Sequence, residues 1–452
     1  MSFHLSDTEL EELRSILAAG GVAGTQARLA KLHPADMAEL LNRLEVNEAV
    51  RVYEILPDEP AAEALLLLDD EVREKILEKL TPQEIAEQVI ENLDSDDAAD
   101  VIAELPDEQQ DKVLSHVEDS EQAGEIADLL NYDPDTAGGL MDKEFIAVHV
   151  NQNVWECIRE IRKQAEEVES VYSIYVIDEE GKLLGLLSLK SVLTKSLRTP
   201  VRDVYNPNVI SVKVNTPKEE VAMIMRKYDL VVVPVVDALG RLAGRITIDD
   251  VVDVMQEEAE KDMQMLSGIS VYSEQQKNRV WSLSRARIPW LLVGLAGGVL
   301  GSRIIGTYES QIQIHPEMAF FIPLIGAMGG NVGVQSSAIV VQGLANNSIQ
   351  PGDMVPKLLR ELAVGLVNGL ICSLLILGYN LLVSDSMNLC VTVSVALFSV
   401  ILFASFLGTF VPLTLSRMKL DPALATGPFV TTVNDIIGMT IYFLVGRLMY
   451  SA

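Results

Sequence analysis

Five stretches of this chain, roughly 287–308, 318–343, 361–383, 389–415 and 423–446, are apolar and long enough to cross a bilayer. A membrane helix needs about 20 mostly apolar residues, and in hydrocarbon every backbone polar group must be satisfied within its own segment. The back of the chain is therefore constrained to a five-helix bundle, and the front must fold in water. Charge divides at the same place. Of 452 residues, 58 of the 65 acidic and 27 of the 35 basic precede Arg285, so the front part carries −31 and the back part +1. A front part so acidic repels nucleic acid and anionic lipid and gathers cations, which excludes nucleic-acid partners.

Short loops keep Lys and Arg on the cytoplasmic side. With the N-terminus inside, the inner span ends carry Arg285, Arg287, Lys357, Arg360, Arg417 and Lys419, and the outer ends only Arg303 and Arg447. The opening "MSFHLSDTELEELRSIL" reads as an acidic amphipathic helix with no basic or apolar leader. The expectation is a multi-pass protein of the cell membrane, its front part cytoplasmic and its C-terminus outside. Cys157, Cys372 and Cys390 are too scattered for a disulfide framework or a paired metal site.

Two spans are unusual. The second contains "GAMGGNVGVQSS", with glycines around Asn331 followed by Gln335 and two serines. Small residues let helices approach and polar ones bond across them, but this density of polar groups at mid-membrane favours a pathway lining. The fifth begins "DPALATGPFVTTVND". Helical steps of four back from Asp435 reach Thr431 and Gly427, one face of a helix. Pro428 has no N–H, so the Leu424 carbonyl loses its helical partner. Carboxylate, hydroxyl and carbonyl form an oxygen stripe of the kind hard cations prefer, and an ionisable residue within a span marks function.

Residues 1–132 read as helical throughout, in similar amphipathic units: "LHPADMAELLNRL", "LTPQEIAEQVIENL" and "LDSDDAADVIAEL". Each opens with a turn or capping signature, and stacked units make a superhelix rich in carboxylates. Residues 133–262 repeat once, with copies at about 141–203 and 204–262. "YVIDEEGKLLGLLSLKSVL" matches "PVVDALGRLAGRITIDDVV" at an offset of 59, as a strand, Asp, turn glycine, strand and capped helix. This resembles a tandem CBS pair, a module that often binds adenosine nucleotides. The family pattern Ser/Thr-x-x-Asp is met by Thr247 and Asp250, whereas the first copy has Ser188 followed by Ser191. The pattern for a nucleotide such as ATP is thus met in the second copy and broken in the first. Residues 263–286 read as an amphipathic connecting helix leading to the membrane part, 287–452.

The fold class is therefore multidomain α plus α/β, with an all-α membrane domain. An acidic helical repeat, a CBS pair, a connecting helix and five spans with "GGNVG" and "GPFVTTVND" together resemble the MgtE family of magnesium channels. The resemblance implies a homodimer with a pore on its two-fold axis, lined by the second and fifth spans. Asp435 would form the selective ring, beside Thr431, Gly427 and Asn331. It also implies gating by cytosolic Mg2+ held at Glu63, Asp96, Asp100, the backbone of Gly138, Glu219, Asp229, Asp250, Asp253, Glu258, Asp262 and Asp421. Lys261 stands where the family has an acid. Repulsion between two parts of −31 each, within a Debye length of ~8 Å, would be offset by such ions.

A second reading is a carrier coupling magnesium and other divalent cations to sodium or protons through Asp435. A third, a membrane-anchored enzyme or nucleotide sensor, has little support, since HExxH, GxSxG and the phosphate loop GxxxxGK[ST] are all absent from the sequence.

Overall fold

A computed structural model describes residues 29, 32–165, 168, 170–269, 280–345, 348–349, 354–422 and 427–451. The amphipathic helix expected over 1–17 and the Leu424 carbonyl lie outside them. The chain divides into two compact units, Met1–Glu258 and Ala259–Ala452.

In the first unit, short helices follow one another from Pro34 to Leu129, and two of the three repeated units open as their capping signatures suggest. His33 accepts from the Ala35 N–H before helix Pro34–Asn42, and Thr81 forms a reciprocal box with Glu84 before Pro82–Gln88. In the third, helix Ser95–Glu104 follows Asp94, whose side chain makes no capping bond. Proline at the first helical position forfeits no bond, because that N–H has no helical acceptor.

The repeat that follows forms two three-stranded sheets of one plan. In the first, β1 (Ile146–His149) runs parallel to β2 (Ile174–Ile177), which pairs antiparallel with β3 (Leu183–Leu187). In the second, β4 (Val212–Lys213), β5 (Val232–Val236) and β6 (Leu242–Thr247) repeat that order. The turns match in detail. Asp178 Oδ1 accepts the N–H groups of Glu180 and Lys182, and Asp237 Oδ1 those of Leu239 and Arg241. Gly181 and Gly240 close these turns at φ +80° and +83°, a region open to glycine. The hairpins meet turn to turn: Leu183 N–H donates to Gly240, and Leu242 N–H to Gly181.

The cores do not follow the domain divisions expected from sequence. One continuous apolar core runs from Leu41, Ile85, Ile102 and Ile126 of the helical repeat into Met225, Val235 and Val251 of the second copy. The first copy has its own core, around Val148, Cys157, Val176 and Val192. The helical repeat and the second copy are thus one packing unit.

Among the described residues, the second unit holds five helices long and apolar enough to span a membrane: Leu283–Thr307, Pro316–Ala345, Met354–Val383, Met387–Arg417 and Pro428–Tyr450. The fourth is the most enclosed, and the first and third are equally the most exposed. The second and fifth spans are joined where the Tyr442 hydroxyl donates to the Met318 carbonyl at 2.8 Å.

Two expectations are corrected here. The connecting stretch 263–286 is not one helix. Its start belongs to helix Ile248–Leu266 and its end to helix Val280–Thr307, while 270–279 lie outside the described residues. Gly268, at φ +71°, stops the first helix, and the Ile269 N–H turns back to Gln264. The fifth span does not run as a helix through Gly427. It begins at Pro428, with Gly427 left-handed at φ +53° just before it. Proline there opens the helix instead of interrupting it.

Candidate ion pathway and acidic cluster

Thr431 and Asp435 share one face of the fifth span helix, one turn apart. The Thr431 hydroxyl and N–H both donate to the Gly427 carbonyl, at 3.0 and 3.1 Å, so Gly427 is tied to this face although it precedes the helix. The hydroxyl proton is used in this bond, which leaves the Thr431 lone pairs for a donor such as ion-bound water.

Opposite this face stand glycines of the second span. A Cβ on Gly326 would lie 3.4 Å from Asp435 Oδ1, and one on Gly330 would lie 3.1 Å from Thr431 Cγ2 and 3.9 Å from the same carboxylate oxygen. The missing side chains leave room for the carboxylate between the helices. Asp435 has no hydrogen-bond or ion-pair partner among the described residues. Asn331 lies next to Gly330 but is exposed on the single chain, as is Gln335 one turn on.

Reasoning from sequence missed Gly326 and Asn434. The glycine spacing of the second span carries a signal for the first. Asn434 is 1% exposed, and neither of its polar atoms has a hydrogen-bond partner among the described residues. Its amide nitrogen occupies the place a Cβ on Gly333 would take.

The first unit concentrates carboxylates where the helical repeat meets the second copy. Asp96, Asp97 and Asp100, on helix Ser95–Glu104, all feel the charge of Asp250 on helix Ile248–Leu266. Loss of hydration, with these like charges, raises Asp96 well above the carboxylate range, Asp97 to about 7 and Asp100 to about 6. Burial also raises Asp250 and Asp253. Lys218 offsets part of the charge, at 3.0 Å from Asp135 and 3.2 Å from Glu257.

A second anchor is Asp142, whose two oxygens both accept from Arg245 Nε at 3.0 Å in a buried pair. Beside it, the buried Ser95 donates to Glu144 through N–H and hydroxyl. Asp97, Asp142 and Glu257 were not singled out from sequence, because the fold brings them together from distant segments.

Of the expected sensor residues, the structure thus groups Asp96, Asp100, Asp250 and Asp253. Glu63, Glu219 and Asp229 are exposed and are not among the main causes of these shifts. Gly138 is buried, its N–H bound to the Val214 carbonyl at 2.8 Å. Glu258 ends the first unit, while Asp262 and Asp421 belong to the second. Among the described residues no three His, Cys, Asp or Glu side chains already converge as metal ligands. The cluster nevertheless fits a divalent ion chemically, since its donors are hard oxygens and its negative charge is only partly offset.

In the nucleotide pattern of the second copy, Asp250 Oδ2 accepts the Thr247 N–H and hydroxyl at 3.0 and 2.7 Å, which leaves Oδ1 unassigned. In the first copy the Ser188 and Ser191 hydroxyls bond each other at 2.8 Å.

Comparison with known proteins follows the same divisions. A profile described as "MgtE intracellular N domain" matches residues 32–135, the CBS domain profile matches 137–198 and 201–257, and "Divalent cation transporter" matches 322–445. The chain is 38% identical over 332 residues to the magnesium transporter MgtE of Thermus thermophilus, covering 73% of each chain. It is 35% identical to that of Enterococcus faecalis, covering 71% of this chain and 70% of the other. A solved structure of the cytosolic domain of the Mg2+ channel MgtE in complex with ATP aligns with a TM-score of 0.50 at 36% identity. It covers 54% of this chain and 99% of its own.

Proposed function

Since this chain belongs to the MgtE family of magnesium transporters, we propose that it is a homodimeric, magnesium-selective channel that cytosolic Mg2+ closes. The observation that carries the pathway is the unpartnered carboxylate of Asp435 facing the glycines of the second span. A carboxylate within a span needs compensating charge, and without a protein cation beside it that charge comes from the passing ion. Mg2+ sheds water reluctantly and requires octahedral geometry at ~2.0 to 2.1 Å. A ring of Asp435, Thr431 and the Gly427 carbonyl suits a hydrated ion, which it holds through the ion's own waters.

The exposed Asn331 and Gln335 support a dimer. On a lone chain they would face hydrocarbon, whereas a second copy encloses them beside a shared, hydrated path. The basic span ends support a cytoplasmic first unit and an external C-terminus.

Gating rests on the crowded carboxylates of the first unit. Asp96, Asp97, Asp100, Asp250 and Asp253 would hold regulatory ions, whose charge favours the compact form when cytosolic Mg2+ is high. Asp262 and Asp421 are candidates for the same role nearer the membrane. Coupling to the pore is supported by Gly268, just past the end of helix Ile248–Leu266, which packs against the Pro428 ring where the fifth span begins. Any ATP at the second copy would compete with an ion for Asp250.

The test is Mg2+ flux and single-channel current in reconstituted bilayers. Current that grows with voltage and survives collapse of sodium and proton gradients supports a channel, while flux that stops with those gradients identifies a coupled carrier. Asp435→Ala should abolish Mg2+ uptake and leave the protein folded; uptake like wild type removes Asp435 from the pathway.

A further inference from the structure

A recess of about 380 Å³ lies where the second span helix ends and the third begins, lined by Ile339, Gln342, Ser348, Lys357 and Arg360. Spans alternate in direction, so this end lies on the membrane face from which the first span starts. We infer that the recess binds the phosphodiester headgroup of an anionic phospholipid from the leaflet on that side.

Three donors surround the recess with capacity to spare. Arg360 and Gln342 have no hydrogen-bond or ion-pair partner among the described residues. Lys357 stands 4.0 Å from Glu361, beyond hydrogen-bond range, with its side chain 17% exposed. The two cations outweigh this one carboxylate. Phosphate oxygens are the matching acceptors, and the Arg360 fork takes two of them at once.

The apolar surroundings of the recess point to a lipid over a soluble anion. Ile339 is 50% exposed, and Val355 and Leu359, on the same helix as the two cations, are 65% and 62% exposed. Apolar surface beside a cationic rim at a membrane boundary matches an acyl chain below its headgroup. Ile349, which also lines the recess, packs with Val340 and Leu413 in a small buried core. A soluble polyanion would also have to approach a chain of net charge −30, whereas a lipid arrives laterally within the bilayer.

The full-length protein, purified in detergent, is melted with added dioleoylphosphatidylglycerol, with dioleoylphosphatidylcholine, and with inorganic phosphate. Phosphatidylglycerol alone should raise the melting temperature. Arg360→Gln, at an exposed position, should weaken the apparent phosphatidylglycerol affinity about fivefold, and Lys357→Gln/Arg360→Gln should erase the shift. Arg285→Gln/Arg287→Gln, which removes two charges from a different span end, should keep it. An equal shift with phosphatidylcholine, a shift reproduced by inorganic phosphate, retention in Arg360→Gln, or equal loss in the Arg285/Arg287 variant each overturns the assignment. Should the double variant fail to fold, Arg360→Gln alone decides.

Discussion

Gly326 and Asp435 face each other across the second and fifth span helices, with room for a Cβ only 3.4 Å from the carboxylate oxygen. A side chain larger than alanine at 326 must therefore displace Asp435 or part the helices. Overpacking of this kind costs about 1–3 kcal/mol. Gly326→Val is expected to lower Mg2+ flux about tenfold or more while Asp435 is still present. Flux in proteoliposomes, read beside gel-filtration behaviour, distinguishes this from unfolding. Unchanged flux would mean that the carboxylate does not work in the space between these helices.

Gly268 tests the link between sensor and pore. At φ +71° any other residue is strained by about 1–2 kcal/mol, and a Cβ would run into the Pro428 ring. Gly268→Ala should weaken the closed form and raise the Mg2+ concentration needed to close the channel about fivefold or more. The measurement is open probability against Mg2+ on the side of the first unit. An identical closing concentration removes this contact from the gate.

The acidic cluster sets a pH dependence with a definite sign. Asp97 at about 7 and Asp100 at about 6 stand above the ordinary carboxylate value of about 3.9, so the compact form binds the extra protons. Their stabilisation is complete below pH ~4 and is lost as pH rises through about 6 to 7. Without Mg2+, the first unit should resist protease better at pH 6 than at pH 8, by on the order of 1 kcal/mol for Asp97. Saturating Mg2+ should flatten the difference, because ions replace protons. Asp97→Asn should bring the pH 8 behaviour toward that at pH 6. Stability that increases from pH 6 to pH 8 without metal would contradict this account.

The membrane plan was legible in sequence because one physical constraint, an apolar length, identifies each span independently of the others. The CBS repeat was legible because its turn chemistry recurs, Asp178 with Gly181 and Asp237 with Gly240. Asp435 stood out because a carboxylate in a span has few bland explanations. The break at Gly268 was hidden, since glycine in an amphipathic stretch is compatible with helix until its φ is known. The pairing of Asp142 with Arg245, 103 residues apart, and the core shared by the helical repeat and the second copy are long-range outcomes that no local period encodes.

The seam behind the carboxylate gives a cleaner experiment than the carboxylate itself. A Cβ on Gly333 would fall on the amide of Asn434 and lie 2.8 Å from Val430 Cγ1. Gly333→Ala should therefore destabilise the bundle by about 1–3 kcal/mol. Asn434→Ala removes the amide, and in the double variant the new methyl can take its place. The two changes should therefore be less than additive, with a coupling of about 1 kcal/mol or more. Because Val430 remains, rescue should be partial. Thermal melting of the four proteins in detergent gives the cycle, and Mg2+ flux gives its consequence. If the effects add, Asn434 does not fill the Gly333 notch, and the register that sets Asp435 opposite Gly326 must be fixed by other contacts between these spans, such as Gly330 against Thr431 or Gly446 against Met318.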